Sequence, residues 1–162
     1  MENPQIKVIG FGNPLRGDEG IGPRLIEELK NTWAGRGVQW NCRFLDLGTA
    51  GMRLISELNE LQALYVVDCA FMELEPGAIR RFVLKDVQTM KLTSQYSFHD
   101  MDLVKILTLA ETLGICPPEV VLFGIQPASI DFRMELSPDL ERRVPEYLNL
   151  ISDEIKKNRP PE

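Results

Sequence analysis

The sequence predicts a three-layer α/β/α single domain built on a mostly parallel five-stranded sheet. Three observations carry this. Short β-branched apolar runs alternate with segments whose apolar residues recur at helical spacing. Ala63 to Val67 is apolar almost without interruption, as a central strand covered on both faces is. A chain of 162 residues suits one domain that buries roughly 70% of its unfolded surface.

The first strand is Ile6 to Phe11, and Gly12, Gly17, Gly20 and Gly22 follow it around the turn signal Asn13-Pro14. After Pro23, which suits a first helical turn, Leu25, Ile26, Leu29 and Trp33 mark a helix. The loop between them carries three charges, Arg16, Asp18 and Glu19, where a simple connection needs none. Gly35-Arg36-Gly37 breaks the helical pattern, and Val38 to Leu47 reads as a second strand leading into Gly48-Thr49. Met52, Leu54, Ile55, Leu58 and Leu61 predict a short helix, and the third strand that follows is expected to stop at Asp68.

Pro76-Gly77 closes the next loop, and Ile79 to Leu84, with Arg80 and Arg81 inside it, reads as an edge strand. Lys85 to Tyr96 is read as a connection. Ser97 with Asp100 resembles a capping box, which puts His99 in the first turn of a helix bearing Leu103, Ile106, Leu107, Ala110 and Leu113. Gly114 ends that helix, and Glu119 to Ile125 is the fifth strand. Ser137-Pro138 opens a last helix with Leu140, Val144, Leu148, Ile151 and Ile155 as its core stripe. A polar tail begins at about Lys156, and no linker divides residues 1–162.

The bulk numbers narrow the function. Net charge is −6 with the basic residues scattered, the reverse of a phosphate-binding surface, so no nucleic-acid partner is expected. No run of about 18 apolar residues occurs, so no membrane span is expected. Met1 to Pro4 lacks the basic and apolar regions of a secretory signal, and Cys42, Cys69 and Cys116 are odd in number and far apart. Both features fit reduced thiols and a cytoplasmic location. The single histidine, His99, excludes HExxH peptidases and any site needing two imidazoles.

In parallel α/β sheets ligands collect outside the carboxyl ends of the strands. Asp18 and Glu19 follow the first strand, Asp46 ends the second, Asp68 ends the third and His99 follows the fourth. These groups converge on one rim. Two carboxylates about 4 Å apart repel by roughly 4 kcal/mol at an effective dielectric of 20, about three pKa units, so such a pair calls for a cation or a proton. Carboxylate oxygens with one imidazole suit a borderline divalent ion such as nickel or zinc, and three protein ligands leave the shell open.

Each residue also has a plain structural reading. Asp18 is a turn or capping acid, Glu19 a solvated acid at a helix start, and Asp46 the closer of its own turn. His99 is a satisfied or exposed imidazole, Arg16 a partner of the acids, and Cys69 a small buried thiol. Asp68, a carboxylate directly after a buried strand, is the hardest to dismiss. Gly10-Phe11-Gly12 begins like a dinucleotide fingerprint, but the next glycine is Gly17. GxGxxxxG with two acids does not suit a pyrophosphate.

Six segments in order, GFGNPLRGDEGIGPR, LDLGTAGM (45–52), VVDCAF (66–71), PGAIRRF (76–82), SFHDMDL (97–103) and VLFGIQP (121–127), resemble the hydrogenase maturation endopeptidases. The resemblance runs from near residue 6 to about residue 150. It implies a twisted, mixed five-stranded sheet with one antiparallel strand. It further implies an endopeptidase that removes the C-terminal extension of a nickel–iron hydrogenase large-subunit precursor. Glu19, Asp68 and His99 match the metal-contacting positions, and Asp46 matches an acid lining the same cleft. The nickel is expected to arrive in the substrate, with other divalent ions able to occupy the site, and the partner is the nickel-loaded precursor. Two other classes share the acidic rim or the layering: a non-catalytic nickel-sensing or chaperone protein, and a small-molecule hydrolase or nucleotide-binding domain.

Overall fold

The computed structural model describes residues 5–36, 40–91, 97–98 and 102–158. In chain order the elements are β1 (Ile6–Phe11), α1 (Ile21–Thr32), β2 (Cys42–Gly48), β3 (Ala63–Phe71), β4 (Ile79–Val83), α2 (Leu84–Lys91), β5 (Ser97–Phe98), α3 (Asp102–Thr112), β6 (Glu119–Ile125), α4 (Pro138–Glu141) and α5 (Val144–Lys156). Short 3-10 helices occupy Gly17–Gly20 and Gly51–Glu57.

Strand order is β2-β1-β3-β6-β4. The β1–β2, β1–β3 and β3–β6 pairs are parallel, and β4 runs antiparallel along the outer side of β6. This is the mixed sheet expected, with β4 at an edge. The central strands are buried almost throughout, which explains why they lack alternation. On one face, Leu25, Leu29, Leu140, Tyr147 and Ile151 pack against Val8, Tyr65 and Val67. On the other, Leu54, Leu58, Leu103 and Leu107 pack against Ile9, Val66 and Leu122. Trp33 Nε1 donates to Ser152 Oγ at 3.0 Å, which ties the end of α1 to α5.

Several elements differ from expectation. The third strand does not stop at Asp68: β3 continues to Phe71, because Asp68 and Cys69 remain paired with Gly124 and Ile125 of β6. The predicted short helix is a 3-10 helix whose buried residues, Gly51 and Leu54, are three apart, matching a three-residue turn. The stretch read as a connection holds α2, which turns Leu84 and Val87 inward. The last helix is broken into α4 and α5, because Pro145 has no N–H to give the preceding turn.

The expected helix start at Ser97 is instead strand: Ser97 is paired with Phe71, and Phe98 with Ala70, in the two-residue β5, and α3 spans Asp102–Thr112. His99 and Asp100 lie outside the described residues, as does Val38, the expected start of the second strand.

Candidate active site

The site is organised by the loop from Gly12 to Gly20. Asn13 Oδ1 accepts from Leu15 N at 3.0 Å and Asn13 O from Arg16 N at 3.0 Å, closing a tight turn. At Gly12, with φ +143°, a Cβ would lie 1.8 Å from the carbonyl oxygen of Glu19, and at Gly22 one would lie 2.1 Å from Phe11 O. Missing side chains therefore allow the 17–20 turn and the start of α1 to fold back onto the end of β1.

Asp18 and Glu19 are buried within this turn at 0% and 1% exposure, and Asp68 is 0% exposed on β3. The Asp18 carboxylate is a structural anchor. Oδ2 accepts from Ala128 N at 2.8 Å, Ser129 N at 3.2 Å and Ser137 Oγ at 2.8 Å, while Oδ1 accepts from Ser137 N at 2.7 Å. Three backbone N–H groups and a hydroxyl thus satisfy the two oxygens of this buried carboxylate. The plain reading of Asp18 is therefore right in kind. The groups it caps belong to the 128–137 loop, however, and not to its own helix. Ser137 sits at the helix start as expected, but its hydroxyl makes no capping bond and serves Asp18 instead.

The same loop is stitched to the glycine loop by Gly17 N to Arg133 O at 2.8 Å, Arg133 N to Leu15 O at 3.0 Å and Asp18 N to Ser129 O at 3.1 Å. Arg16 is half-exposed. Its Nε donates to Ile130 O at 3.3 Å and stands 4.0 Å from Glu19 Oε1, so it brings a cation to the edge of the acid pair.

Cys69 records how closely the acids gather. Its thiol is fully buried, and its pKa is pushed far above the ordinary range, first by burial and then by the fields of Asp68, Glu19 and Asp18. A thiol held protonated is no nucleophile, which supports the structural reading of Cys69. The turn carrying Asp18 and Glu19 thus packs against β3, which carries Asp68, and Asp18 is engaged with the 128–137 loop. Glu19 and Asp68 are the other two buried carboxylates of this region.

Asp46 differs from them in exposure. It is exposed at the end of β2, and its Oδ1 accepts from Gly48 N at 2.8 Å, closing its own turn. It lines a neighbouring groove of about 800 Å³ with Pro14, Gly17, Gly20, Arg24 and Met134. Gly17 and Gly20, the ends of the turn that carries Glu19, form part of that groove's wall. Among the described residues no group of three His, Cys, Asp or Glu side chains is arranged to hold a metal ion. His99, the third expected ligand, is outside them, directly after the β5 residue paired with Ala70. Sequence reading missed the 128–137 loop, and no motif marks it, since its partners lie 110 to 119 residues away.

Comparison with known proteins gives concordant results. The HycI hydrogenase maturation protease model matches residues 23–154. The hydrogenase expression/formation protein HupD of Thiocapsa roseopersicina is 33% identical over 143 residues, covering 88% of this chain and 63% of that protein. HupD of Bradyrhizobium diazoefficiens is 32% identical over 152 residues, covering 92% and 77%. The chain thus spans about three fifths to three quarters of the length of these relatives. In three dimensions it is similar to the hydrogenase-maturating endopeptidase HybD from E. coli, with a TM-score of 0.79 and 26% identity, over 94% of this chain and 93% of that one. The [NiFe] hydrogenase maturation protease HybD from Thermococcus kodakarensis shares the fold, with a TM-score of 0.77 at 22% identity, over 94% and 99%.

Proposed function

Since the chain belongs to the hydrogenase maturation protease family, we propose that it is a single-domain endopeptidase that removes the C-terminal extension of a nickel–iron hydrogenase large-subunit precursor after nickel insertion. The observation that carries the reading is the burial of Glu19 and Asp68 where the 17–20 turn packs against β3. Buried carboxylates at one point favour a cation between them, and in this reading the cation is the nickel already seated in the substrate. His99 is the third ligand. Chain connectivity supports it, because His99 is bonded to Phe98, and Phe98 is paired with Ala70, two residues beyond Asp68.

Glu19, Asp68 and His99 complete the coordination of substrate-borne nickel, so that only a loaded precursor is held well. That contact places the adjacent scissile bond, and Glu19 or Asp68 serves as general base for the attacking water. Asp46 shapes the approach through the groove rather than joining the ligand set. Processing takes place in the cytoplasm, where the metal is inserted. Among the described residues no helix is long and apolar enough to cross a membrane.

The test is a mobility-shift assay with large-subunit precursors, each prepared with and without nickel. Release of a short C-terminal peptide from the loaded precursor alone is the expected result. Binding without cleavage would instead identify a nickel-sensing or chaperone protein, and neither binding nor cleavage would refute the reading.

A further inference from the structure

The 128–137 loop does more than anchor the site. Among the exposed large apolar side chains, Phe132 at 83%, Met134 at 76% and Leu15 at 48% belong to this loop and the glycine loop it is stitched to. Arg16 and Arg133 form a parallel bridge that sets the two loops side by side. Exposed apolar groups on a backbone held by this many hydrogen bonds form a rigid platform that needs little ordering when a partner arrives. Met134 also lines the groove, whose charge is uneven. Glu27, Asp46 and Glu135 face Lys30, while Arg24 is already held by Glu141 at 2.9 and 3.0 Å and by Glu28 at 3.1 Å.

We propose that this groove and its apolar rim form the docking site for an extended segment of the precursor polypeptide that carries alternating basic and apolar side chains. The proposal rests on the reading of the chain as a precursor-processing protease. Three carboxylates against one ammonium complement a cationic strand, and the apolar rim takes the side chains that alternate with its charges. Because Gly17 and Gly20 belong to the groove wall, a strand lying in it is delivered to the turn that holds Glu19.

The test uses the full chain and two labelled synthetic peptides of matched length, one alternating lysine and leucine, the other glutamate and leucine. Fluorescence anisotropy is read for the wild type, for a Met134→Ser, Glu135→Lys double variant, and for Asp153→Lys as an off-groove control of equal charge change to Glu135→Lys. The lysine peptide is expected to bind about tenfold more tightly than the glutamate peptide, and the double variant to lose about tenfold while the control holds the wild-type affinity. No binding, equal binding of the two peptides, or equal loss in double variant and control overturns the proposal. The same double variant should raise KM for a loaded precursor by about tenfold with kcat kept. An unmoved KM in an enzyme that cleaves would overturn the docking site and leave the protease reading standing. A wild type that binds the lysine peptide through the groove but cleaves no precursor would sink the protease reading and leave the surface.

Discussion

At Gly12 the fold has no room for a side chain, because the carbonyl oxygen of Glu19 fills the place a Cβ would take. Gly12→Ala must push the 17–20 turn off β1 or strain the backbone at positive φ, and either outcome moves Glu19. We expect a loss of roughly 3 kcal/mol or more in chemical unfolding, with processing lost even where the variant folds. Asp18→Asn makes a different point. An amide nitrogen replaces one oxygen that accepts from N–H or O–H donors, so donor faces donor at a buried site. A cost of about 2 to 4 kcal/mol is expected, together with faster hydrogen exchange at Ser129 and Ser137. Sequence spacing placed Asp18, Glu19 and Asp68 on one rim because the topology of parallel α/β sheets puts strand ends there. It also offered turn closure for Asp46, which the bond from Gly48 N bears out, but it could not show that Asp18 anchors the 128–137 loop, since that role depends on which backbone groups folding brings opposite the carboxylate.

Elements with a full apolar run were legible, and those defined by pairing were not. β1, β6 and the core of β3 declare themselves because both faces are buried. β3 extends past Asp68 because β6 offers partners beyond it, a fact absent from its own residues. β5 has two residues, too few for any period to show, and among the described side chains of α2 the large apolar groups turned inward are Leu84 and Val87. At the amino end of the sheet, α5 is fastened by Glu154, which accepts from Arg81 at 2.8 Å and from Lys157 at 3.0 Å. Burial opposes its ionisation, but those cationic partners outweigh burial and hold its carboxyl below the ordinary value. A depressed folded-state pKa contributes stability that is present above the unfolded value and lost as pH falls through the folded one. Unfolding followed from neutral pH into acid should show Glu154→Gln losing stability less steeply than the wild type. Its penalty at neutral pH should be about 1 kcal/mol, small because Arg81 is half-exposed. Equal acid dependence in the two proteins would contradict this assignment.

For the molecule as a whole, the sheet separates two apolar cores, and the loops at its carboxyl end are tied across it by Asp18 and by backbone bonds. Tyr147 clamps the α5 side: its hydroxyl donates to Gly77 O at 2.5 Å, and burial, with help from Glu146 and against Arg143, pushes its pKa up to about 12. The hydroxyl is thus a donor at neutral pH. Tyr147→Phe leaves the Gly77 carbonyl buried without that donor, and thermal unfolding should register about 1 to 3 kcal/mol. On the proposed reading specificity lies in the substrate's metal, and this frame holds the turn that carries Glu19 in place before binding.

The most direct test of that claim compares binding of nickel-loaded and nickel-free precursor to the wild type, to Glu19→Gln and to Asp68→Asn, by surface plasmon resonance. The account predicts that the wild type prefers the loaded form by about tenfold or more, and that either substitution abolishes the preference while circular dichroism remains unchanged. A substituted protein that still distinguishes the loaded precursor as the wild type does would contradict it.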